Sequence, residues 1–472
     1  MAAWWNSHLC IHRRRSRATE DSRNSHVFHA TSRASNSCSK SIMVASTSTI
    51  RLLAGRARNL SAWQPLAFRD FRLLFIGQAV SLLGDQFYLV ALPWLVLQLT
   101  GSGLALGTIL LAATLPRMIF LLVGGAASDW LSPHRLMVAS NGLRSIVCAI
   151  LTVLVLLKTV SLWQLFVLAA AFGTLDAFFS PAMKAFIPAL LNEEKLMAGN
   201  ALLQGTNMLT KFIGPSLAGL LVAVAGTGFA FGLDTVSFVF VTACLMVMKT
   251  KKPGSAGRKL ASTGWPSRGK LSSSIRDGLR YTLHEPAIRS FIIIIAVIEF
   301  AFAGPFTVGL ASLANSRFSG GSKAFGIMLS TLGGGFLLGT MIAGAFKRSR
   351  LGFATFVGAF ALGTGLVLLG FAPNLFWACV LLAIMAAIGG CLQVLNTYWF
   401  QTRADPQMLG RVMSVVMLCG FGLTPLSYVI AGALIKVSLT LMFVVNGVFL
   451  LTAAAFCVSS QRQIDSPRPV TG

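Results

Sequence analysis

Gly124-Gly-Ala-Ala-Ser-Asp129-Trp-Leu-Ser-Pro-His-Arg135 lies between two long apolar runs, residues 104–123 and 136–157. Each run is long enough to cross a hydrocarbon core of roughly 30 Å. The stretch between them has what a tight hairpin between two membrane helices needs. Gly125 has no side chain, so a neighbouring helix can approach closely. Asp129 sits where the apolar run ends, where an acid can cap or face the positive N-terminus of another helix. Arg135 keeps the turn on the cytoplasmic side. An ordinary polar turn has a similar composition, so its place in the chain decides between the two.

That place is set by composition. The 472 residues are 55% hydrophobic and only 11% charged, with mean hydropathy +0.74. Soluble domains carry roughly 25% charged residues, so the chain reads as a polytopic membrane protein. A net charge of +25 suggests nucleic acid in a soluble protein. Here the basic residues fall mostly outside the apolar runs, and topology and anionic lipid explain them better. Six of the eight cysteines (Cys148, Cys244, Cys379, Cys391, Cys419 and Cys457) lie in apolar runs and read as small packing residues.

Residues 1–68 form a basic leader rich in Ser and Arg, with Arg13-Arg-Arg15 and almost no acid. It lacks a secretory apolar core, and its composition fits either a transit peptide or a disordered cytoplasmic arm. A start of translation at Met43 is a further reading. His8, Cys10, His12, His26 and His29 have no fixed metal-ligand spacing, and neither a metal nor any other cofactor is expected.

Spans are expected near 71–98, 104–128, 135–157, 161–185, 200–224 and 229–248, making a first bundle over 69–249. A basic linker, 250–287, follows on the cytoplasmic side, with a surface helix conceivable over 274–284. Lacking interleaved aromatics, it does not read as a nucleic-acid site. A second bundle, 288–460, has spans near 288–312, 323–346, 351–371, 375–400, 408–435 and 438–459. A short tail, 461–472, ends the chain. Uncharged breaks such as Thr100-Gly-Ser-Gly103 and Ala372-Pro-Asn374 alternate with charged ones. The fold class is therefore all-α, about twelve transmembrane helices in two six-helix bundles.

Polar residues inside spans are expensive and face the bundle interior or a wet cavity. Gln78, Ser81, Asp85 and Tyr88 make one stripe on the first span. Asp85 is the first candidate for proton coupling, Glu299 the second and Asp176 the third. Arg117, after Pro116, is by type the cationic partner of Asp85. Gln78, Tyr88, Arg117, Asn207, Lys211, Asp234, Gln393 and Asn396 are candidates to shape a cavity. A polar stripe on the fifth span runs into Gly214-Pro-Ser-Leu-Ala-Gly219, where Pro215 bends the helix and the glycines allow close packing. The second bundle echoes this. Thr424-Pro425 answers Gly214-Pro215, the glycines before 347–350 answer those before 129–135, and Glu299 answers Asp85.

Phe71-Arg-Leu-Leu-Phe75 with Ser81-Leu-Leu-Gly-Asp85, Pro116-Arg117, Gly125-x-x-x-Asp129, Ser180-Pro-Ala182, Gly214-Pro215, Asp234-Thr-Val-Ser-Phe238 and Leu409-Gly410-Arg411-Val412 together carry a resemblance. The chain resembles the major facilitator superfamily, in the branch of the enterobactin exporter and macrolide efflux proteins. The resemblance covers almost all of 69–459 and none of the leader. It implies alternating access between two six-helix halves. It also implies a hinge role for Gly125, Asp129 and Arg135, with the acid latching the halves in the outward-facing state. Trp130 and Ser132 stand where the family usually has a basic residue and a glycine. Gly214 and Pro215 resemble the motif of proton-coupled antiporters, and Gly410 and Arg411 belong to the shared pattern.

The function expected is efflux of amphipathic or hydrophobic small molecules, of drug, macrolide or siderophore type, in exchange for protons. A uniporter or importer, or a lipid flippase of the same fold, is the alternative. A membrane enzyme is remote, because the chain has no H-E-x-x-H, P-loop or G-x-S-x-G pattern. The partners expected are a small-molecule substrate, protons and lipids, with no nucleic acid, and the chain is taken as a monomer. The membrane expected is a bacterial plasma membrane, or a plastid or mitochondrial inner envelope if 1–68 is a transit peptide.

Overall fold

Polar side chains point inward and apolar ones outward on the helix Pro133–Leu156. Ser140, Asn141, Arg144 and Cys148 are buried, whereas Leu143, Ile146, Ile150 and Val153 are about half exposed. In water that helix would be inverted. In lipid it is stable, because apolar side chains lose nothing by facing hydrocarbon and polar groups find partners only inside. The computed structural model describes residues 63–130, 132–248, 280, 284–345, 351–403 and 409–456. Residues 1–62 of the leader, most of the linker and the tail lie outside the described residues.

The helices are α1 Arg69–Thr100, α2 Gly103–Trp130, α3 Pro133–Leu156, α4 Leu162–Leu190, α5 Glu193–Val247, α6 Pro286–Gly304, α7 Leu310–Ser316, α8 Gly321–Ile342, α9 Leu351–Gly370, α10 Leu375–Arg403, α11 Leu409–Val437 and α12 Leu439–Phe456. Helix α5 holds two spans, and α6 and α7 are one span joined through a π-turn at Pro305–Gly309. Twelve crossings result among the described residues, as the apolar runs require.

Helix ends follow local chemistry. Gly101 closes α1 in the left-handed conformation at φ 62°, its N–H bonded to Leu97 O. Ser161 and Gln164 form a capping box that starts α4. Two turns are tighter than the sequence suggests. The hairpin expected over 129–135 is reduced to 131–132. Helix α2 runs on through Trp130, and Ser132 caps α3 by accepting the N–H of Arg135. Gly125 and Asp129 therefore sit on the last turns of α2, with the Asp129 side chain outside those described, and Arg135 is exposed in the first turn of α3.

The break expected at 225–228 is a single residue. Gly226, at φ 84° and ψ 170°, separates the two arms of α5, and nothing lies within 4 Å of a Cβ placed there. Only glycine adopts that backbone readily. Gly226→Ala should therefore lower stability by ~1–3 kcal/mol through backbone strain alone. Gly205→Ala, equally unobstructed but helical, should be neutral or slightly stabilising. Thermal unfolding in detergent compares the two, and equal melting temperatures would remove the strain.

The two halves pack alike. Gly173 of α4 presses on the Ala113 carbonyl of α2, and Gly390 of α10 presses on the Phe336 carbonyl of α8. The halves meet along two seams built the same way. On one, Gly219 lies against Gly326 and Ser322, and Ser216 N–H donates to Ser330 Oγ at 2.9 Å. On the other, Gly432 lies against Gly103 and Leu104, and Gly107 against the Tyr428 carbonyl. The segment after Gly214-Pro215 thus plays the part that the segment after Thr424-Pro425 plays in the other half. Both seams start beside the uncharged turns, where Trp94 also packs on Gly321, and run to mid-helix at Gly333 and Gly422. Small residues permit this backbone approach.

Candidate functional site

Arg144 is the centre of the site, and it was not singled out in the sequence. Its side chain is 4% exposed. Nη2 lies 3.2 Å from Asp85 Oδ1 and Nη1 lies 3.5 Å from Asp176 Oδ1. The guanidinium lies in the corner formed by Phe172 and Phe238, 4.5 and 4.4 Å from ring centroids that are 5.8 Å apart and inclined at 64°. Tyr88 stacks on the other side of Phe172 at 4.4 Å. A planar cation with two aromatic faces and two carboxylates is held in one orientation.

The expected pairing of Arg117 with Asp85 is corrected. Arg117 Nε lies 2.9 Å from Asp176 Oδ2, and Asp85 belongs to Arg144. Both arginines converge on Asp176, whose α4 is fixed to α2 by the Gly173 contact one turn away. The signal for Arg144 was present. Ser140, Asn141, Arg144 and Cys148 repeat at helical spacing on α3, as the stripe on the first span does.

Asp234 is fully buried rather than lining a cavity. Cys148 Sγ and Ser237 Oγ each lie 3.4 Å from its carboxyl oxygens. No ion pair reaches it among the described residues. Gly84 makes room for it, since a methyl group at Gly84 would sit 2.7 Å from Asp234 Oδ1. Gln78 is likewise buried between helices rather than in a cavity, with Oε1 unpartnered.

The remaining candidates are dispersed. Asn207 is part-buried with Oδ1 unpartnered, and Lys211 is exposed on α5 beside the seam with α8. Gln393 is exposed, whereas Asn396 accepts a 3.1 Å hydrogen bond from Thr355 and ties α10 to α9. Glu299 is exposed in mid-helix on α6, makes no ion pair among the described residues, and stands apart from the Arg144 cluster. Gly214 packs on Gln86 and Pro215 on Gly326. Gly410 and Arg411 lie in the first turn of α11, and the Arg411 side chain is outside those described.

The cluster holds three acids, Asp85, Asp176 and Asp234, against two cations, Arg117 and Arg144. Asp85 and Arg117 are its open side, 30% and 55% exposed, and Arg144 its closed side. A buried pair at this distance gains about 4 kcal/mol of Coulomb energy at an effective dielectric of 20. Desolvation offsets much of that, so such a network adds little to stability and is retained for orientation or chemistry.

Comparison with known proteins agrees with this architecture. Residues 60–466 match the transmembrane secretion effector family. The chain is 28% identical over 364 residues to the multidrug efflux pump Tap of Mycolicibacterium fortuitum, covering 74% of this chain and 85% of that one. It is 21% identical to macrolide efflux protein A of Streptococcus pyogenes, covering 84% and 97%. A crystal structure of the nucleoside transporter NupG superposes with TM-score 0.66 at 11% identity, over 83% of this chain and 99% of that one, a likeness of fold alone. A chain of twelve crossings in two like halves, matched over this length, belongs to the transmembrane secretion effector family of the major facilitator superfamily and is an integral membrane transporter.

Proposed function

We propose that the protein exports amphipathic or hydrophobic small molecules of drug, macrolide or siderophore type in exchange for protons, by alternating access. The observation that carries this reading is the cluster around Arg144. Three acids face two arginines, so the cluster with all its acids ionised carries one net negative charge within the membrane-spanning bundle. A net charge there is expensive, and one proton removes it. Binding that proton changes the relative stability of two arrangements of the halves, which is all that coupling requires. The names of the relatives favour outward transport of drugs and macrolides.

The halves are 69–249 and 288–460, with the basic linker 250–287 on the cytoplasmic face by the positive-inside rule. The seams then close the outer end, and the cytoplasmic end is the side of access. The chain works as a monomer in a bacterial plasma membrane, touching substrate, protons and lipid but no nucleic acid, and no bond in the substrate is broken.

Proteoliposomes with an imposed pH gradient test this with wild type and Asp85→Asn against a macrolide and a siderophore. Wild type should accumulate substrate, and the variant should bind it but lose gradient-driven movement by at least ~10-fold, the worth of one proton over one pH unit. Equal movement without a gradient would leave a uniporter. Movement of a fluorescent phospholipid alone would leave a flippase.

A further inference from the structure

The odd acid of the cluster can be identified. Asp85 and Asp176 each touch a guanidinium, and Asp234 touches none. Its neighbours are weak donors at long range, Cys148 Sγ and Ser237 Oγ, both at 3.4 Å. A carboxylate in a buried site draws charge-assisted hydrogen bonds of about 2.5–2.9 Å. Among the described residues nothing so short is aimed at Asp234. Ser237 Oγ lies closer to the Asp234 backbone carbonyl, 2.7 Å away, and its one hydrogen is directed there. Cys148 Sγ also has the Phe231 carbonyl at 3.5 Å. A thiol has one hydrogen. Shared between that carbonyl and Asp234, the thiol gives the carboxyl at most one weak and long contact. The surroundings of Asp234 therefore fit a carboxylic acid and not its anion.

We propose that Asp234 holds the coupled proton in this state and passes it to Asp85 when the guanidinium of Arg144 changes partner. The inference rests on the antiport reading and adds to it a second carboxyl, set back from the exposed side of the cluster. The step is balanced. The O–H bond of Asp234 breaks as one forms on Asp85, and the carboxylate left at 234 takes the guanidinium that Asp85 gives up. The charge of the cluster is unchanged during this transfer, and it becomes net negative only when Asp85 releases the proton. Asp85, 30% exposed, then exchanges the proton with water.

The route is short and built. Asp234 Oδ1 lies against α1 at Gly84, the residue before Asp85. Arg144 and Cys148 are one turn apart on α3, so the partner of each acid is on one helix face. Arg144 Nε is buried without a partner, a donor held in reserve within the cluster. The groups around Asp234 are then Asp85 and Tyr88 from α1, Arg144 and Cys148 from α3, Asp176 from α4 through Arg144, and Ser237 from its own arm.

Infrared spectroscopy of the full chain in liposomes tests this without a known substrate. The carbonyl stretch of a protonated, buried carboxyl should be present in wild type at about pH 7.5, within the physiological range. It should be lost in Asp234→Asn and kept in Asp176→Asn. If Asp234→Asn fails to fold, Cys148→Ala replaces it, and the same band should shift in frequency without loss of charge. A wild type without the band, or a band that survives Asp234→Asn or ignores Cys148→Ala, overturns the proposal. Efflux of erythromycin driven by a pH gradient is measured on the same liposomes. Coupled wild type with coupled Asp234→Asn rejects Asp234 and keeps antiport. Uncoupled wild type rejects antiport itself. Coupled wild type with Asp234→Asn reduced about tenfold supports both.

Discussion

Arg144→Gln should lose gradient-driven transport and about 3–5 kcal/mol of stability, the range measured when one partner of a buried ion pair is removed. The loss comes from what is left behind. Asp85 keeps no cation within 4 Å among the described residues, while Asp176 keeps Arg117 at 2.9 Å. Much of the penalty should therefore vanish in Arg144→Gln with Asp85→Asn, which removes the orphaned charge but not the defect in transport. Arg144→Lys should not rescue, because a compact ammonium cannot bridge two carboxylates while packing on both Phe172 and Phe238 as the planar guanidinium fork does. Thermal unfolding in detergent reads all three. A single variant as stable as wild type would mean that the pairs are not formed in the membrane.

Gly173→Val should be among the most damaging changes in residues with no chemistry of their own. Its Cβ would fall inside the Ala113 carbonyl group, with the carbonyl carbon at 2.8 Å and the Ala113 Cα at 3.3 Å. Backbone cannot rotate away as a side chain can, so α2 and α4 must part. Overpacking costs about 1–3 kcal/mol where side chains yield, and more where they do not. The same two helices carry Arg117 and Asp176, each about one turn from the contact. Gly173→Val should thus reduce both folded yield and transport, whereas Gly142→Ala, with its nearest neighbour at 4.0 Å, should spare both. Equal yields of the two proteins would contradict a backbone contact.

The crossings were legible because each must present about 20 apolar residues to lipid, and that demand is written locally. The echo between halves was legible for the same reason, since Gly214-Pro215 and Thr424-Pro425 each precede a close seam. Pairing was not. Arg117 and Arg144 are both lone cations in apolar spans, and which of them meets Asp85 depends on how each helix is rotated about its axis. Packing of Gly84 on Asp234 and of Gly173 on Ala113 sets those rotations, and both contacts join residues far apart in the chain. The single-residue break at Gly226 was hidden for another reason: Ala225-Gly-Thr-Gly228 offers two glycines, and only the backbone angles tell which one turns. Asn396 reads as a cavity residue by type but is bound to Thr355 of a neighbouring helix.

The seams between the halves are smooth along much of their length. Gly219 meets Gly326 and Gly432 meets Gly103 as smooth backbone, where interlocked side chains would have to change rotamer before the surfaces could separate. Dispersion, a fraction of a kcal/mol per atom pair, and a few hydrogen bonds such as Ser216 to Ser330 hold such a joint, with little to unlock before it parts. A joint of that kind makes a low barrier. An event as small as one proton arriving, or one substrate leaving, is then enough to tip the molecule from one stance to the other.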